Sequence, residues 1–131
     1  MPLATTPCPC GGPRPFDRCC GPALDAGIPP PTAEALMRSR YVAYTLDRAD
    51  YLLATWHPRT RPHRLDLDRA PVQWLGLKIR RVEAGAPQDH EGIVEFVARY
   101  KIGGRAHRLQ ETSRFLQEDG RWFYLEAIPP G

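Results

Sequence analysis

The stretch CPCGGPRPFDRCC, residues 8–20, contains all four cysteines of the chain. Cys8 and Cys10 form a C-x-C pair, and Cys19 and Cys20 form a C-C pair after eight intervening residues. A structural zinc ion takes four ligands in a tetrahedron and binds thiolate sulfurs well. Two sulfurs on one turn and two on a returning turn supply that geometry, and the glycines between them permit a tight backbone. We therefore predict a zinc knuckle here, with no open ligand position for catalysis by the metal.

Two other uses of the cysteines compete with metal binding. A pair of disulfides would suit a secreted protein, but residues 1–6 contain neither a basic segment nor an apolar run typical of a secretory signal. A redox-active thiol pair is disfavoured because the C-x-x-C spacing of thioredoxin-like sites is absent. Structural zinc is the favoured interpretation, and metal binding would supply the folding free energy of a segment with so small a core.

The cysteine spacing resembles the SEC-C motif, which is named for the C-terminal zinc tail of the SecA translocation ATPase. In that ATPase the tail contacts protein partners. The motif usually has serine after C-P-C-G, where this chain has Gly12. That difference affects no ligand.

The composition indicates one globular domain with a small N-terminal addition. The chain has 131 residues, 42% of them hydrophobic, and a formal net charge of +3. Four thiolates and one Zn²⁺ would leave it nearly neutral, so we expect no strong nucleic-acid signature. No apolar run is long enough to span a bilayer, and we expect a soluble, cytoplasmic protein. The predicted organisation is a SEC-C-like motif over 1–24, a proline-rich linker over 25–31 and an α+β domain over 32–131.

Two helices are predicted after the linker. Thr32 is a suitable N-cap for a helix over residues 33–45, whose apolar stripe is Met37, Tyr41 and Tyr44. Asp47 is the predicted N-cap of a second helix. Its stripe is Ala49, Leu52, Leu53 and Trp56, and Pro58 ends it. The stretch 59–71 is basic and broken, with one short helical turn expected at 65–69.

The apolar period then changes to two, which predicts strands. They cover residues 72–83, 92–102, 105–117 and 121–128. We expect Leu75, Leu77 and Ile79 on one face of the first strand. Gly103-Gly104 and Asp119-Gly120 are hairpin turns. Two helices followed by a curved four-stranded antiparallel meander are therefore expected.

The third strand carries polar residues on its apolar face. Glu111 and Ser113 alternate with Leu109 and Phe115, and a carboxylate on a core face is costly unless it is paired. Three interpretations stay open for Glu111: a structural ion pair with an arginine, a general acid or base in a cavity, or an exposed position after a register shift. The candidate partners and cavity residues are Arg38, Ser39, Arg40, Tyr41, Tyr44, Trp56, Trp74 and Ser113.

The histidines and remaining aromatic residues are less informative. His57 follows Trp56 at a predicted helix end, where packing or capping is its ordinary role, and it is a second catalytic candidate beside Glu111. Trp74, Trp122 and Tyr124 fit core positions. No Ser-His-Asp or Cys-His arrangement and no phosphate-binding loop can be assembled.

A second resemblance covers nearly the whole chain. It rests on LMRSRY (36–41), DYL (50–52), TWHP (55–58), WLGL (74–77), FVAR (96–99) and ETSRFL (111–116). These motifs resemble the YchJ-like family of small bacterial proteins, which have no assigned activity. The family joins a SEC-C motif to a domain similar to nuclear transport factor 2 (NTF2), a cone of curved sheet and helices around a cavity. Some members carry a second, C-terminal SEC-C motif, whereas this chain ends with Pro129-Pro130-Gly131.

Three functions agree with these observations. The first is a protein-interaction module, in which the zinc knuckle and the basic stretch 59–69 contact a protein or ribosomal partner. The second is an enzyme that uses Glu111, and His57 with it, in a cavity. The third is a non-catalytic binder of a small ligand in the same cavity. A homodimer through the open sheet face is expected by analogy with other domains of this shape.

Overall fold

The computed structural model describes residues 7–12, 14–65 and 72–129. A 3₁₀ turn, Phe16–Arg18, follows the first cysteine pair. Three helices come next: α1 (Gly21–Asp25), α2 (Ala33–Thr45) and α3 (Ala49–Ala54). Four strands complete the fold: β1 (Val72–Ala84), β2 (Glu91–Ile102), β3 (Arg105–Glu118) and β4 (Arg121–Ile128). The predicted helical turn at 65–69 lies outside the described residues, apart from its first residue.

The strands form one antiparallel sheet in the order β1-β2-β3-β4, which confirms the predicted meander. Each predicted hairpin turn uses two residues with positive φ. Gly103 and Gly104 have φ of 58° and 80°, and Asp119 and Gly120 have φ of 53° and 77°. Paired positive φ values match the right-handed twist of the flanking strands. Helix α2 packs across the sheet and contacts β1, β2 and β4.

The predicted inner face of β1 is wrong at its first residue. Trp74 pairs with Tyr100 and Gly76 pairs with Arg99, so Leu75 is an extra residue in a β-bulge. The bulge turns Leu75 outward, where it is 48% exposed. Trp74 takes its place and packs against the core together with Leu77 and Ile79. Period-two reasoning misses this because a bulge reverses the alternation.

Helix α2 is buried on more sides than an amphipathic surface helix. Thr32 caps it as predicted, because its Oγ1 accepts a hydrogen bond from the amide of Ala35 at 3.0 Å. Met37 and Tyr41 are buried, and so are Ser39 and Arg40 on the other sides. The sheet, α1, α3 and residues 8–20, which we call the cysteine segment, all pack around α2 and leave little of it in solvent.

The predicted start of α3 is wrong, because Asp47 ends α2 instead of capping α3. Asp47 has φ of 56°, and its amide donates to the Tyr44 carbonyl at 3.3 Å. The next amide, of Arg48, donates to the Ala43 carbonyl at 2.8 Å. These two bonds form a Schellman C-cap with aspartate at the usual glycine position. Helix α3 also ends at Ala54, before Trp56, and Trp56 pairs with Tyr124 in an isolated parallel bridge.

The cysteine segment is continuous with the core of the domain. Residues expected to belong to the motif and linker form the short helix α1, in which Leu24 is buried. Cys8, Cys10, Phe16 and Cys20 are buried in the same cluster as the α2 and sheet side chains. The segment is therefore packed onto the domain. Among the described residues, no helix has the length and apolar character needed to cross a membrane.

Candidate functional site

The four cysteine sulfurs meet at one point. All four Sγ atoms lie within 4.8 Å of one another. Cys10 Sγ is 3.5 Å from Cys19 Sγ, and Cys19 Sγ is 4.0 Å from Cys20 Sγ. All four are free thiols. Zinc–sulfur bonds of about 2.3 Å in a tetrahedron place the sulfurs about 3.8 Å apart, which is close to the spacing of this cluster. The four cysteines can therefore hold a metal ion.

Local backbone features bring the two cysteine pairs together. The amide of Cys8 donates to the Arg14 carbonyl at 3.0 Å, which closes the loop between the pairs. Gly11 has φ of 86°, and a Cβ atom there would lie 3.0 Å from the carbonyl oxygen of Leu77. The amide of Gly12 points at Cys10 Sγ at 3.4 Å. An amide directed at sulfur stabilises thiolate charge, as metal ligation requires.

The thiols of the cluster titrate unequally without a cation. The hydrogen bond with Cys20 lowers the pKa of Cys10 to about 4. Burial, followed by the hydrogen bond and charge of Cys10, raises the pKa of Cys19 to about 12. The pKa of Cys20 is raised chiefly by its hydrogen bond to Cys10. One thiolate thus discourages the ionisation of its neighbours, and a divalent cation at the centre would remove that repulsion.

The side chain of Arg38 contacts the cysteine cluster and does not line the cavity. Its Nη1 donates to the Cys10 carbonyl at 2.9 Å and lies 3.8 Å from Cys10 Sγ. Its Nε donates to Glu34 one helical turn earlier at 2.9 Å. Its assignment to the cavity is therefore wrong, since the side chain leaves α2 on the side that faces the cysteines. Arg38 ties the cysteine segment to α2 and sets positive charge beside the sulfurs.

A cavity of about 250 Å³ lies between α2 and the inner face of the sheet. Most of its wall is apolar or aromatic, and it includes six of the eight candidate partner and cavity residues, all except Arg38 and Ser39. Its lining residues are Met37, Arg40, Tyr41, Tyr44, Trp56, Trp74, Phe96, Ala98, Leu109, Glu111, Ser113 and Tyr124.

Arg40 is the buried cation of this cavity. Its Nη1 donates to the Leu52 carbonyl at 2.8 Å and to Thr55 Oγ1 at 2.7 Å. Its Cζ lies 4.8 Å from the ring centre of Tyr124 and 5.3 Å from that of Trp56. Burial lowers the pKa of Arg40, although nearby tyrosines and Glu111 oppose that effect. The aromatic rings and the two acceptors compensate part of the cost of burying the charge.

Glu111 lies on the inner face of β3, as predicted, but its partners are hydroxyl groups. Its Oε2 accepts a hydrogen bond from Ser113 Oγ at 2.7 Å and one from the Tyr124 hydroxyl at 3.3 Å. Within residues 7–12, 14–65 and 72–129, Glu111 makes no ion pair, so the direct pairing with an arginine is wrong. Burial, and then the charge of Glu111, raises the pKa of Tyr124, which keeps its phenol protonated as a donor.

Trp56 carries an unused donor that the sequence did not indicate. Its Nε1 is buried and has no hydrogen-bond partner among the residues the structure describes. By contrast, Trp122 Nε1 donates to the Pro31 carbonyl at 3.1 Å. Buried indole N–H groups ordinarily find an acceptor. An acceptor on a molecule in the cavity would supply the missing bond.

His57 lies away from the cavity. Its Nε2 is 2.9 Å from Glu118 Oε2, and its Nδ1 accepts a hydrogen bond from the amide of Arg59 at 3.1 Å. The accepting Nδ1 assigns the ring proton to Nε2, which donates to Glu118. The ring packs edge-on against Phe123. His57 therefore holds the loop after α3 against the β3–β4 hairpin, and the structure does not bring it together with Glu111.

Comparison with known proteins agrees with this architecture. The family model for the middle NTF2-like domain of YchJ matches residues 32–127. A UPF0225 protein of Chromobacterium violaceum is 58% identical over 128 residues, which cover 95% of this chain and 94% of that protein. A UPF0225 protein of Bordetella parapertussis is 49% identical over 129 residues, covering 96% and 95% of the two chains.

Two solved structures share the fold. The solution structure of a SEC-C motif containing protein from Rhodopseudomonas palustris superposes with a TM-score of 0.84 at 33% identity, over 96% of this chain and all of that one. The crystal structure of a SEC-C motif containing protein from Psychrobacter arcticus superposes with a TM-score of 0.77 at 24% identity, over 100% of this chain and 88% of that one. The chain therefore belongs to the YchJ-like, or UPF0225, family of bacterial proteins, in which a SEC-C cysteine motif precedes an NTF2-like domain.

Proposed function

We propose that this protein binds a small planar molecule in the cavity between α2 and the sheet, and that zinc at the four cysteines stabilises its fold. One observation carries the proposal: the cavity wall holds polar groups with unused hydrogen-bonding capacity. Trp56 Nε1 is a buried donor without a partner. Glu111 Oε1 has none among the described residues either, since both bonds to this carboxylate go to Oε2. A buried donor such as Trp56 Nε1 is costly unless a ligand or water satisfies it, and Glu111 Oε1 is a free acceptor in the same wall.

The wall defines the chemistry of the ligand. Trp74 lies within 6 Å, ring centre to ring centre, of Tyr41 and Tyr44, so the cavity has aromatic faces. The volume, about 250 Å³, is slightly below the usual range for pockets that hold drug-sized ligands, so the ligand must be small. A small heterocycle with a hydrogen-bond donor for Glu111 and an acceptor for Trp56 Nε1 fits these features.

Binding is favoured over catalysis by the surroundings of the carboxylate. Glu111 is the sole carboxylate among the lining residues described, and no histidine lines the cavity. Its hydrogen-bond neighbours are Ser113 and Tyr124, and Tyr124 has a raised pKa. General acid–base catalysis needs a group that changes protonation near the working pH. Neither neighbour of Glu111 supplies one.

The metal proposed for the cysteine cluster is zinc in a structural role. Four sulfur donors at tetrahedral spacing are a donor set that zinc prefers, and all four positions are filled by the protein. When bound, the ion would supply charge compensation and cross-linking. The chain's own residues hold the cluster on α2, through Arg38 and the Cys10 carbonyl.

Nuclear magnetic resonance tests the ligand proposal. A panel of one-ring and two-ring heterocycles is added to the zinc-loaded protein while the indole N–H resonances are followed. The Trp56 resonance is assigned by its loss in Trp56→Phe. A binder should shift this resonance and leave the Trp122 resonance unchanged, because the Trp122 indole already donates to the Pro31 carbonyl. Glu111→Gln should weaken binding at least tenfold. Glu126→Gln, an exposed carboxylate on the neighbouring strand, is the matched control. If both variants weaken binding equally, or if no compound in the panel binds, the cavity is not the ligand site.

A second candidate is the protein-interaction module. It is favoured by the loop after α3, where Arg59, Arg61 and Arg64 are exposed. Hydrogen bonds from the amides of Thr60 and Arg61 to the His57 carbonyl fix the backbone of that loop. We propose a protein or ribosomal partner for this loop and for the cysteine segment. The test is a pull-down from native cytosol with wild type and the Cys19→Ser/Cys20→Ser variant. A stoichiometric partner retained by wild type alone would support this function.

A further inference from the structure

A second groove crosses the outer face of the sheet, opposite the cavity. It is open and has a volume of about 380 Å³. Four exposed cations surround it, and we call it the basic groove: Lys78, Arg80, Arg99 and Arg108. Its floor includes Gly76 and the buried Val97. A Cβ atom at Gly76 would meet nothing within 4 Å, so the missing side chain leaves the floor open.

The cations of the basic groove have no acidic partners among the residues described, in contrast to Arg81 and Arg114 of the same sheet. Arg81 pairs with Glu83 and Glu95, and Arg114 pairs with Glu91 and Glu126. In the part of the chain that the structure describes, none of the four groove cations forms an ion pair. The positive charge around the groove is therefore not compensated by ion pairs within the described residues.

Two of the cations oppose one another directly. Arg99 of β2 and Arg108 of β3 are Cα partners in the antiparallel register, on the same face of the sheet. Like charges at directly opposed positions destabilise a sheet. The arrangement therefore costs folding stability, and an anion bound between the two strands would reverse the sign of that interaction.

We propose that the basic groove binds the phosphate backbone of a nucleic-acid duplex. Three of the four cations are arginines, whose planar guanidinium groups contact phosphate oxygens in pairs. None of the described residues that line the groove is aromatic, so they offer no platform on which unpaired bases could stack. These features favour a duplex, which displays its phosphates outward, and contacts that do not depend on sequence.

The low net charge of the chain is compatible with nucleic-acid binding at the basic groove. The formal charge of +3 averages over all residues, whereas the fold gathers four uncompensated cations on one sheet face. An acidic protein partner fits less well, because stable protein interfaces rely on buried aromatic and apolar anchors. The groove offers one exposed apolar side chain, Leu75, at the β-bulge.

Fluorescence anisotropy with a short labelled RNA duplex, and with a DNA duplex of the same sequence, tests the proposal on the full chain. The logarithm of the binding constant should fall with the logarithm of salt concentration with a slope of about −3 to −4, since four cations contribute about 0.9 each. The Arg99→Gln/Arg108→Gln variant should bind at least tenfold more weakly at low salt and lose about two units of that slope. Arg114→Gln, a paired arginine of the same sheet, is the matched control.

Stability measurements distinguish a binding role of Arg99 and Arg108 from a role in folding stability. Because Arg99 and Arg108 repel each other, the double variant should be at least as stable to urea as wild type while it loses duplex binding. The proposal would be overturned by three results: no duplex binding at low salt, equal weakening by Arg114→Gln, or equally tight binding of polyglutamate. The last would indicate an acidic protein partner. Salt-dependent self-association that Arg99→Gln/Arg108→Gln abolishes, without duplex binding, would assign the groove to contact between copies of this chain.

Discussion

At the scale of single residues, the backbone conformation of Asp47 ends helix α2 just before helix α3 begins. Its φ of 56° lies in the left-handed region, which glycine occupies with least cost. We predict that Asp47→Gly raises the free energy of unfolding by about 0.5–1 kcal/mol, after the greater entropy of glycine in the unfolded chain is allowed for. Urea denaturation measures this. Asp50→Gly, in the first turn of α3, is the control and should lower stability.

At the scale of elements, two glycines join the start of α2 to the sheet. The amide of Ala33 donates to the Gly85 carbonyl at 3.0 Å, where the β1–β2 connection passes under the helix. A Cβ atom at Gly92 would lie 2.6 Å from Gly85 Cα and 2.8 Å from Ala33 Cβ. No side chain can be placed there unless the helix and the strands move apart.

We therefore predict that Gly92→Ala destabilises the protein by about 3 kcal/mol or more, as overpacking of a tightly packed core does. Gly76→Ala is the matched control, since it lies in a strand but has open space around its Cβ position. It should be neutral or slightly stabilising. Thermal and urea unfolding of both variants measure the difference. Comparable losses in the two would show that strand propensity, and not the contact with α2, determines the effect.

At the scale of the whole molecule, the cysteine cluster and the core form one packed unit. Removal of the metal should therefore destabilise the NTF2-like domain as well as residues 8–20. We predict one zinc ion per chain, and a loss of about 4 kcal/mol or more on chelation or in Cys10→Ser. Metal analysis and urea denaturation test this.

Gly12→Ser is the matched control for the zinc prediction. A Cβ atom at Gly12 would lie 3.4 Å from Cys10 Sγ, which is tolerable with a small shift of the sulfur. Serine, the usual residue of the motif at this position, should therefore preserve both zinc content and stability. Loss of metal in Gly12→Ser would contradict the proposed ligand geometry, and a chelated protein with unchanged stability would contradict the coupling between cluster and core.

Whole-molecule stability should also fall in alkali. Burial raises the pKa of Tyr41, Tyr44, Tyr51 and Tyr124. These phenols stay protonated in the folded state at a pH where they ionise in the unfolded chain, so the unfolded state binds fewer protons and stability decreases as pH rises above about 10. Urea denaturation at a series of pH values measures the slope, and Tyr124→Phe should reduce it. A stability that stays constant from about pH 8 to 11 would exclude these shifts.

Several features of the fold were predictable because they depend on local chemistry. The cysteine spacing predicted a cluster that can hold a metal, and alternation along β3 placed Glu111 on the inner face. Paired glycines and Asp-Gly indicated the hairpins. Each of these needs only the chain's own periodicity and turn preferences.

Other features were decided by tertiary structure, because contacts distant in sequence compete with local preference. The bulge at Leu75 turned that residue outward and put Trp74 on the inner face in its place, and packing on all sides buried Arg40. The sequence by itself determined that Glu111 needs a partner, since a carboxylate on an apolar face is costly. The tertiary structure determines that Ser113 and Tyr124 are its partners. It also places Arg38 against the cysteine segment and four unpaired cations on the outer face of the sheet. Side-chain partners depend on where strands and helices cross, and the periodicity of one segment contains no information about that position.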